Sequence, residues 1–216
     1  RASETGAVVL SAFTTKLAVY ALARYFAGLD WLIWIGAVMT VFPVFFAVIE
    51  NDLRKVLAYS LNNQVGFMVC AVGIGTQLAV NGAAAHAFAH IMYKALLFMS
   101  MGAVLYRTGT TKASELGGLH RTMPWTTLFC LVGAASISAL PLFSGFVAKS
   151  MVMSASHADP ALFVVWIMLL FASAGVLEHS GIKIPYFAFF SHDSGKRPQE
   201  APFNMPLPYH GQIAIS

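Results

Sequence analysis

The chain has 216 residues, of which 58% are hydrophobic and 10% are charged, and its mean hydropathy is +0.70. Soluble domains carry about 25% charged residues, so this composition excludes a surface that faces water throughout and predicts an integral membrane protein. Cys70 and Cys130 both lie in apolar runs without a CxxC pair, which indicates small buried hydrophobic residues rather than a disulfide framework.

Six apolar segments follow one another along the sequence, at residues 7–26, 31–49, 56–75, 78–105, 124–156 and 161–176, the last extending to about residue 190. A membrane-spanning helix needs about 20 apolar residues, so the pattern predicts an all-α membrane fold with about six spans. The fifth segment contains Pro141 and Gly145, which predict a broken helix whose freed carbonyls face protein or water.

The basic residues of the predicted connections lie almost entirely on one side of the membrane. If the N-terminus is on side one, that side holds Arg1, Arg54, Lys55, Arg107, Lys112, Arg121, Lys183, Lys196 and Arg197. Arg24 alone lies on the opposite side. Cytoplasmic loops carry the excess of Lys and Arg, so we expect both ends of the chain to be cytoplasmic.

Lys16 lies near the middle of the first predicted span, about ten residues from either interface. That distance is roughly 15 Å, which is beyond the reach of a lysine side chain. Lys16 should therefore face a protein interior or a wet cavity. Its role is either structural, bonded to carbonyls, or that of a proton carrier, because a desolvated lysine can exchange protons near neutral pH.

The motif AHAFAHIMYKALLF places His86, His90 and Lys94 at i, i+4 and i+8 on one stripe of the fourth predicted helix. Ionisable groups inside a membrane span are costly and indicate a functional site. Imidazole both donates and accepts hydrogen bonds and titrates near neutral pH, so the stripe can pass protons along. Zinc is the competing interpretation, but HAFAH lacks the glutamate of HExxH and Lys94 would repel a cation.

Lys149 follows the predicted break, and broken helices in transporters place ion-handling groups near the midplane. The alternative is a lysine that approaches an interface. Glu178, near the sixth span, is the one candidate for a carboxylate inside the membrane, so we expect partners for the buried lysines in sequence outside this chain.

Five segments together resemble a known family: SAFTTKLAVYALAR, NDLRKVLAYSLNNQVGFM, HAFAHIMYKALLF, ELGGLHRTMP and ALPLFSGFVAKSMV. They resemble the antiporter-like membrane subunits, which comprise the proton-pumping subunits of complex I and the large subunits of Mrp-type cation/proton antiporters. The resemblance covers residues 7–195, and GIKIPYFAFFSHDSG looks more like the D-type large subunit of Mrp antiporters.

The family fold has fourteen helices in two inverted repeats of five, each with a broken helix. By resemblance, residues 1–190 are the second repeat with one flanking helix, and two of the six helices should be broken. Residues 191–216 are expected to form a polar, proline-rich loop and an atypical tail, so we take the chain to be a piece of a longer polypeptide.

The resemblance also implies roles for individual residues. Lys16 matches the central lysine of the family's proton path, and His86, His90 and Lys94 match the polar stripe of a broken eleventh helix. Lys149 matches the lysine or glutamate of the twelfth helix, at the exit half-channel.

The expected function is proton translocation within a multi-subunit antiporter, and the alternative is a complex I subunit coupled to quinone reduction. A third possibility is a scaffold subunit whose polar residues only hold helices together. The expected partners are other membrane subunits, the lipid bilayer and protons, with Na+ as a candidate second ion and no nucleic acid. No cofactor and no covalent chemistry are expected, and the expected location is the bacterial inner membrane.

Overall fold

The computed structural model describes residues 4–196, and within that range it is mostly helical, with no β-strand. The expected all-α fold is confirmed. Its main helices are α1 (Gly6–Tyr25), α2 (Asp30–Ile49), α3 (Leu53–Ile74), α4 (Gln77–Thr108), α5 (Pro124–Ile137), α6 (Ser144–His157) and α7 (Pro160–Phe190). The expected polar tail lies, from residue 197 onward, outside the described residues.

Five of these helices are long and apolar enough to cross a membrane, namely α1, α2, α3, α4 and α7. The sixth predicted span consists of two shorter helices, α5 and α6, that pack along α4 in succession. Gly133 of α5 lies against Leu97 of α4, and Val152 of α6 lies against Gly82 near the other end of α4. The broken pair therefore occupies the place of one span, which accounts for the predicted six.

The break between α5 and α6 falls where Pro141 predicts it, at residues 138–143. Ala139 and Leu142 there have φ angles of 57° and 75°, a left-handed conformation that is uncommon without glycine. A Cβ atom on Gly145 would collide with the carbonyl oxygen of Ser136, so only glycine allows α6 to begin this close to the end of α5.

The fourth predicted helix is not broken, which corrects the expectation drawn from the family's eleventh helix. Helix α4 is one continuous α-helix of 32 residues. Thr76 Oγ1 accepts from Ala79 N at its start, and Gly109 ends it in the left-handed conformation. Backbone irregularity appears instead in α1, with a π-helical turn at Leu10–Thr14, and in α7, with π-helical segments at Leu177–Ile182 and Tyr186–Phe190.

The short connections gather at two opposite ends of the bundle. At one, which we call the Asp52 end, Leu53 N donates to Thr111 O over 2.9 Å and Thr111 Oγ1 donates to Asp52 over 2.7 Å. At the other, the Gly28 end, Gly28 N donates to Val72 O over 3.0 Å. Successive spans therefore alternate in direction, as the six-span topology requires.

Candidate functional site

The structure buries all five side chains that the sequence nominates. The exposed fraction is 6% for Lys16, 0% for His86, His90 and Lys94, and 3% for Lys149. Lys149, which could have approached an interface, ends inside the protein together with Lys16 and Lys94. The structural and the proton-carrying interpretations both require this burial, so the contacts of each residue decide what it can do.

Lys16 lies directly after the π-helical turn of α1. Its Nζ donates to Ser11 O over 2.8 Å and to Thr15 Oγ1 over 3.0 Å. In a π-turn a carbonyl pairs with the N–H group five residues later instead of four. This interrupts the regular α-helical hydrogen bonds, so a carbonyl can accept from a side chain instead. The Lys16 ammonium lies within electrostatic range of His86, His90 and Lys94 on α4.

The rings of His86 and His90 follow each other along the inward face of α4. Their centroids are 6.2 Å apart, and the ring of Tyr93 meets His90 edge-on with a centroid distance of 5.2 Å. The rings are neighbours without a direct hydrogen bond between them. Transfer of a proton from one to the other therefore needs a bridging water or a rotation of a ring.

A chain of amides fixes one side of His86. Its Nε2 lies 2.9 Å from Gln64 Oε1 and 3.1 Å from Tyr93 Oη. Gln64 Nε2 donates to Asn63 Oδ1 over 2.7 Å, and Asn63 Nδ2 donates to Thr40 O over 2.6 Å. The amide side chains of α3 therefore connect α4 to α2.

A carbonyl of α2 accepts from α3 in the turn that precedes Pro43. Proline in a helix interior removes one intrahelical hydrogen bond and disturbs the preceding turn. Thr40, three residues earlier, accepts from Asn63 Nδ2 at its carbonyl, and its own hydroxyl donates back to Gly36 O over 2.6 Å. Asn63 thus links α3 to this turn of α2.

His90 and Lys94 differ from His86 because their polar atoms form no hydrogen bonds like those of His86 with Gln64 and Tyr93. Both ring nitrogens of His90 and the Nζ of Lys94 are buried without a hydrogen-bond partner among the described residues. The Lys94 ammonium lies 5.6 Å from the centroid of Phe98. A buried polar group without a partner costs about 1–3 kcal/mol, and these atoms therefore differ from His86 Nε2, which has fixed partners.

Lys149 uses the carbonyl that the helix break sets free. Its Nζ donates to Ile137 O, the last residue of α5, over 2.8 Å. The same ammonium lies 5.5 Å from the ring centroid of Phe67, and that ring lies 5.9 Å from the ring of His86. Phe67 thus neighbours both Lys149 and His86.

Within residues 4–196, none of the three buried lysines forms an ion pair. Glu178 is exposed on the outer surface of α7, so it does not neutralise them. Nor does this part of the chain bring three His, Cys, Asp or Glu side chains together as metal ligands. The positive charges of the site therefore stand in an interior with no carboxylate of its own.

His179 belongs to the same interior, although the sequence analysis did not nominate it. The side chain is fully buried in the π-turn of α7, and it lies within electrostatic range of Lys94 and Lys149. The available signal was a lone histidine in the apolar run at residues 161–190. It was missed because no second ionisable residue at i+4 marks a stripe, as it does in α4.

Comparison with known proteins connects this arrangement to one family. Residues 1–177 match the family described as "NADH:quinone oxidoreductase/Mrp antiporter, TM". The D-type Na(+)/H(+) antiporter subunit of Alkalihalophilus pseudofirmus is 34% identical over 194 residues, which are 85% of this chain and 39% of that protein. NADH-ubiquinone oxidoreductase chain 5 of Podospora anserina is 30% identical over 168 residues, which are 76% of this chain and 25% of that protein.

Solved structures show the same likeness in three dimensions. A chain of the Mrp complex from Dietzia sp. DQ12-45-1b superposes with a TM-score of 0.81 at 27% identity, covering 93% of this chain and 38% of that one. A chain of the archaeal membrane-bound sulfane sulfur reductase also gives 0.81, at 26% identity, covering 96% and 44%. The chain thus spans less than half the length of the relatives it matches.

Proposed function

This chain belongs to the NADH:quinone oxidoreductase/Mrp antiporter transmembrane family, and we propose that it carries protons in a Mrp-type cation/proton antiporter, as part of the D-type large subunit. The observation that carries the proposal is the buried row of Lys16, His86, His90, Lys94 and Lys149, which contains no ion pair within the described residues. A purely structural cluster would be paired, because an unpaired buried charge is strongly destabilising.

In this proposal each group has a defined task. Lys16 holds a proton against Ser11 O and releases it towards the stripe of α4. His86, oriented by Gln64, and His90, which lacks fixed partners, pass it along α4 through water or ring rotation. Lys94 and Lys149 receive it, and Lys149 returns to Ile137 O when it is protonated.

The antiporter branch is favoured over the complex I branch by the extent of the match. The D-type antiporter subunit aligns with 85% of the chain at 34% identity, whereas the complex I chain 5 from Podospora anserina aligns with 76% at 30%. A complex I subunit is the second candidate. In that case the same proton path is driven by quinone reduction rather than by a cation gradient.

Other membrane subunits are the proposed partners, and the outer surface supports this. Leu140, Pro141 and Leu142 in the middle of the break are exposed, Leu142 fully so, although irregular backbone does not face lipid at membrane depth. Glu178 is also exposed within α7, and a carboxylate there needs a cationic or wet neighbour. A neighbouring subunit that covers both features would shield the backbone of the break from lipid and provide a polar or cationic group for the Glu178 carboxylate.

The proposed arrangement places residues 1–190 in the membrane as a proton-conducting domain, with the Asp52 end on the cytoplasmic side of a bacterial inner membrane. The described basic residues support this orientation. Arg54, Lys55, Lys112 and Arg121 belong to connections at the Asp52 end, and Arg24 lies next to the Gly28 end. Lys and Arg are enriched in cytoplasmic loops.

Replacing Lys16 separates a proton relay from a scaffold. In the full-length parent complex, Lys16→Ala should abolish proton flux into vesicles while the complex still assembles. Lys55→Ala is the matched control, because Lys55 is an exposed lysine beside Glu50 at the Asp52 end. Loss of assembly in Lys16→Ala with wild-type flux per assembled complex would support the scaffold instead.

A further inference from the structure

His179 is a buried titratable group that the path described above does not use. It lies in the π-turn Leu177–Ile182 of α7, and its side chain is completely shielded from solvent. Its Nε2 has no hydrogen-bond partner among the described residues. A histidine kept only for packing would be satisfied on both nitrogens or replaced by an apolar residue, because an unmade buried hydrogen bond costs about 1–3 kcal/mol.

The π-turn brings this part of α7 against the broken helix. A Cβ atom on Gly181 would collide with Ser138 Oγ, so the backbone of α7 touches the first residue of the break. A π-helical turn shifts side chains out of the regular α-helical register, and in α7 a second π-helical segment follows at Tyr186–Phe190. His179 is thus set beside the break that supplies Ile137 O to Lys149.

The ionisable groups that face His179 come from three helices. Lys94 of α4 and Lys149 of α6 lie within electrostatic range of its ring, as does Lys183 of α7 itself. Lys183 Nζ is engaged with three carbonyls at the end of α2, Ala47 O, Val48 O and Glu50 O, at 2.6–3.1 Å. Lys94, in contrast, has no hydrogen-bond partner among the described residues, and it is the free proton donor of the group.

The ring of His179 is anchored on one side and open on the other. Its Nδ1 lies 2.8 Å from Ser180 Oγ, and a serine hydroxyl can either donate or accept. The hydroxyl therefore supports either tautomer and also the doubly protonated ring. A proton can bind at Nε2 and leave from it without breaking the anchor at Nδ1.

We propose that His179 is a further proton-carrying residue, which accepts a proton at Nε2 from Lys94 or Lys149 and releases it towards the Asp52 end. The Asp52 end is the nearer of the two along α7, because His179 lies 19 residues after Pro160 and 11 residues before Phe190. Helix α6 runs from the break to the Gly28 end, whereas α7 runs back past His179 to Phe190 at the Asp52 end. There the carbonyl oxygen of Phe189 accepts from His120, which lies just before α5. The inference rests on the proposed function.

The test uses two replacements of His179 in the full-length parent complex, reconstituted in vesicles. Asparagine retains a polar atom near the position of Nδ1 for Ser180, and glutamine retains one near Nε2, but neither binds a proton at working pH. We expect both to lower proton flux at least tenfold in assembled complexes. His157→Asn is the matched control, since His157 is exposed at the end of α6, and it should leave flux unchanged.

A packing role is distinguished by chemical rescue. In His179→Ala, imidazole added to the buffer should restore part of the flux if a titratable ring is what the site lacks, whereas lost packing would not respond. Wild-type flux in His179→Asn and His179→Gln, or failure of both to assemble, overturns the proposal. If Lys16→Ala loses flux while the His179 variants do not, the inference about His179 is wrong and the proposed function stands. If the His179 variants lose flux while Lys16→Ala does not, His179 carries protons and Lys16 is not part of the path.

Discussion

Gln64 Oε1 lies 2.9 Å from Nε2 of His86, and the hydrogen bonds from Gln64 to Asn63 and from Asn63 to Thr40 fix which end of the Gln64 amide faces the ring. Thr40 O can only accept, so Asn63 presents its NH2 group there and its oxygen to Gln64. Gln64 then presents its oxygen to His86. Neutral His86 therefore carries its proton on Nε2, and Nδ1, which is buried without a partner among the described residues, is the nitrogen that takes up a further proton.

This relationship predicts the effect of removing the amide. Gln64→Leu takes away the acceptor for His86 and Tyr93, so the ring is no longer held in one tautomer and orientation. Loss of one such buried hydrogen bond is worth about 1.4 kcal/mol, and we expect roughly a tenfold fall in proton flux. Asn62→Leu, at the exposed neighbouring amide, should leave flux unchanged; equal losses in both would remove the role assigned to Gln64.

Lys94→Ala should strongly reduce transport while expression and assembly persist, because the ammonium lies in register with His86 and His90 and has no partner within the described chain. Lys94→Met fills the same space without a charge and should lose flux as well, at least tenfold. Flux assays on purified parent complex in vesicles measure both, with the exposed Lys112→Ala as control. Normal flux in Lys94→Met would show that Lys94 contributes only to packing and not to proton transport.

Much of the fold followed from hydropathy. The predicted second span, residues 31–49, agrees with α2 at Asp30–Ile49, and Pro141 marks the break between α5 and α6. These features depend on local sequence, because a run of apolar residues and a missing N–H act wherever they occur.

Other features depend on neighbours that the sequence does not display. Helix α4 is continuous although the family resemblance implied a break, and nothing in its own residues forces one. The π-turn of α7 packs against Ser138 in the break between α5 and α6, and the acceptor for Asn63 is a backbone carbonyl of α2. Only the three-dimensional structure identifies His179 as a candidate site residue, because the fold brings it near Lys94 and Lys149.

The tight contact between α2 and α3 predicts a stability effect. A Cβ atom on Gly36 would collide with the backbone of Cys70, so the two helices approach as closely as small residues allow. Gly36→Leu should force them apart and lower stability by about 3 kcal/mol or more. The yield and melting temperature of the assembled complex should fall. Val38→Leu, on the exposed face of α2, should change neither, and a similar loss there would contradict the packing argument.

The alternation of the spans predicts opposite labelling at two connections. A cysteine placed after Lys112 lies at the Asp52 end, whereas one placed after Asp159 lies between α6 and α7 at the Gly28 end. With Cys70 and Cys130 replaced, a membrane-impermeant thiol reagent should label only one position from each side of a vesicle. The position after Lys112 should react from the cytoplasmic side, and labelling of both positions from one side would refute the six-span topology.

The central claim is that Lys16 carries a proton rather than a fixed charge. Arginine keeps the charge but cannot release its proton at working pH, so Lys16→Arg tests this claim most directly. The measurement is proton flux into vesicles that contain the assembled parent complex, normalised to the amount of complex, for Lys16→Arg, Lys16→Ala and the unmodified protein. The account predicts that Lys16→Arg loses transport nearly as completely as Lys16→Ala. Wild-type flux in Lys16→Arg would show that a fixed positive charge is sufficient and would contradict the account.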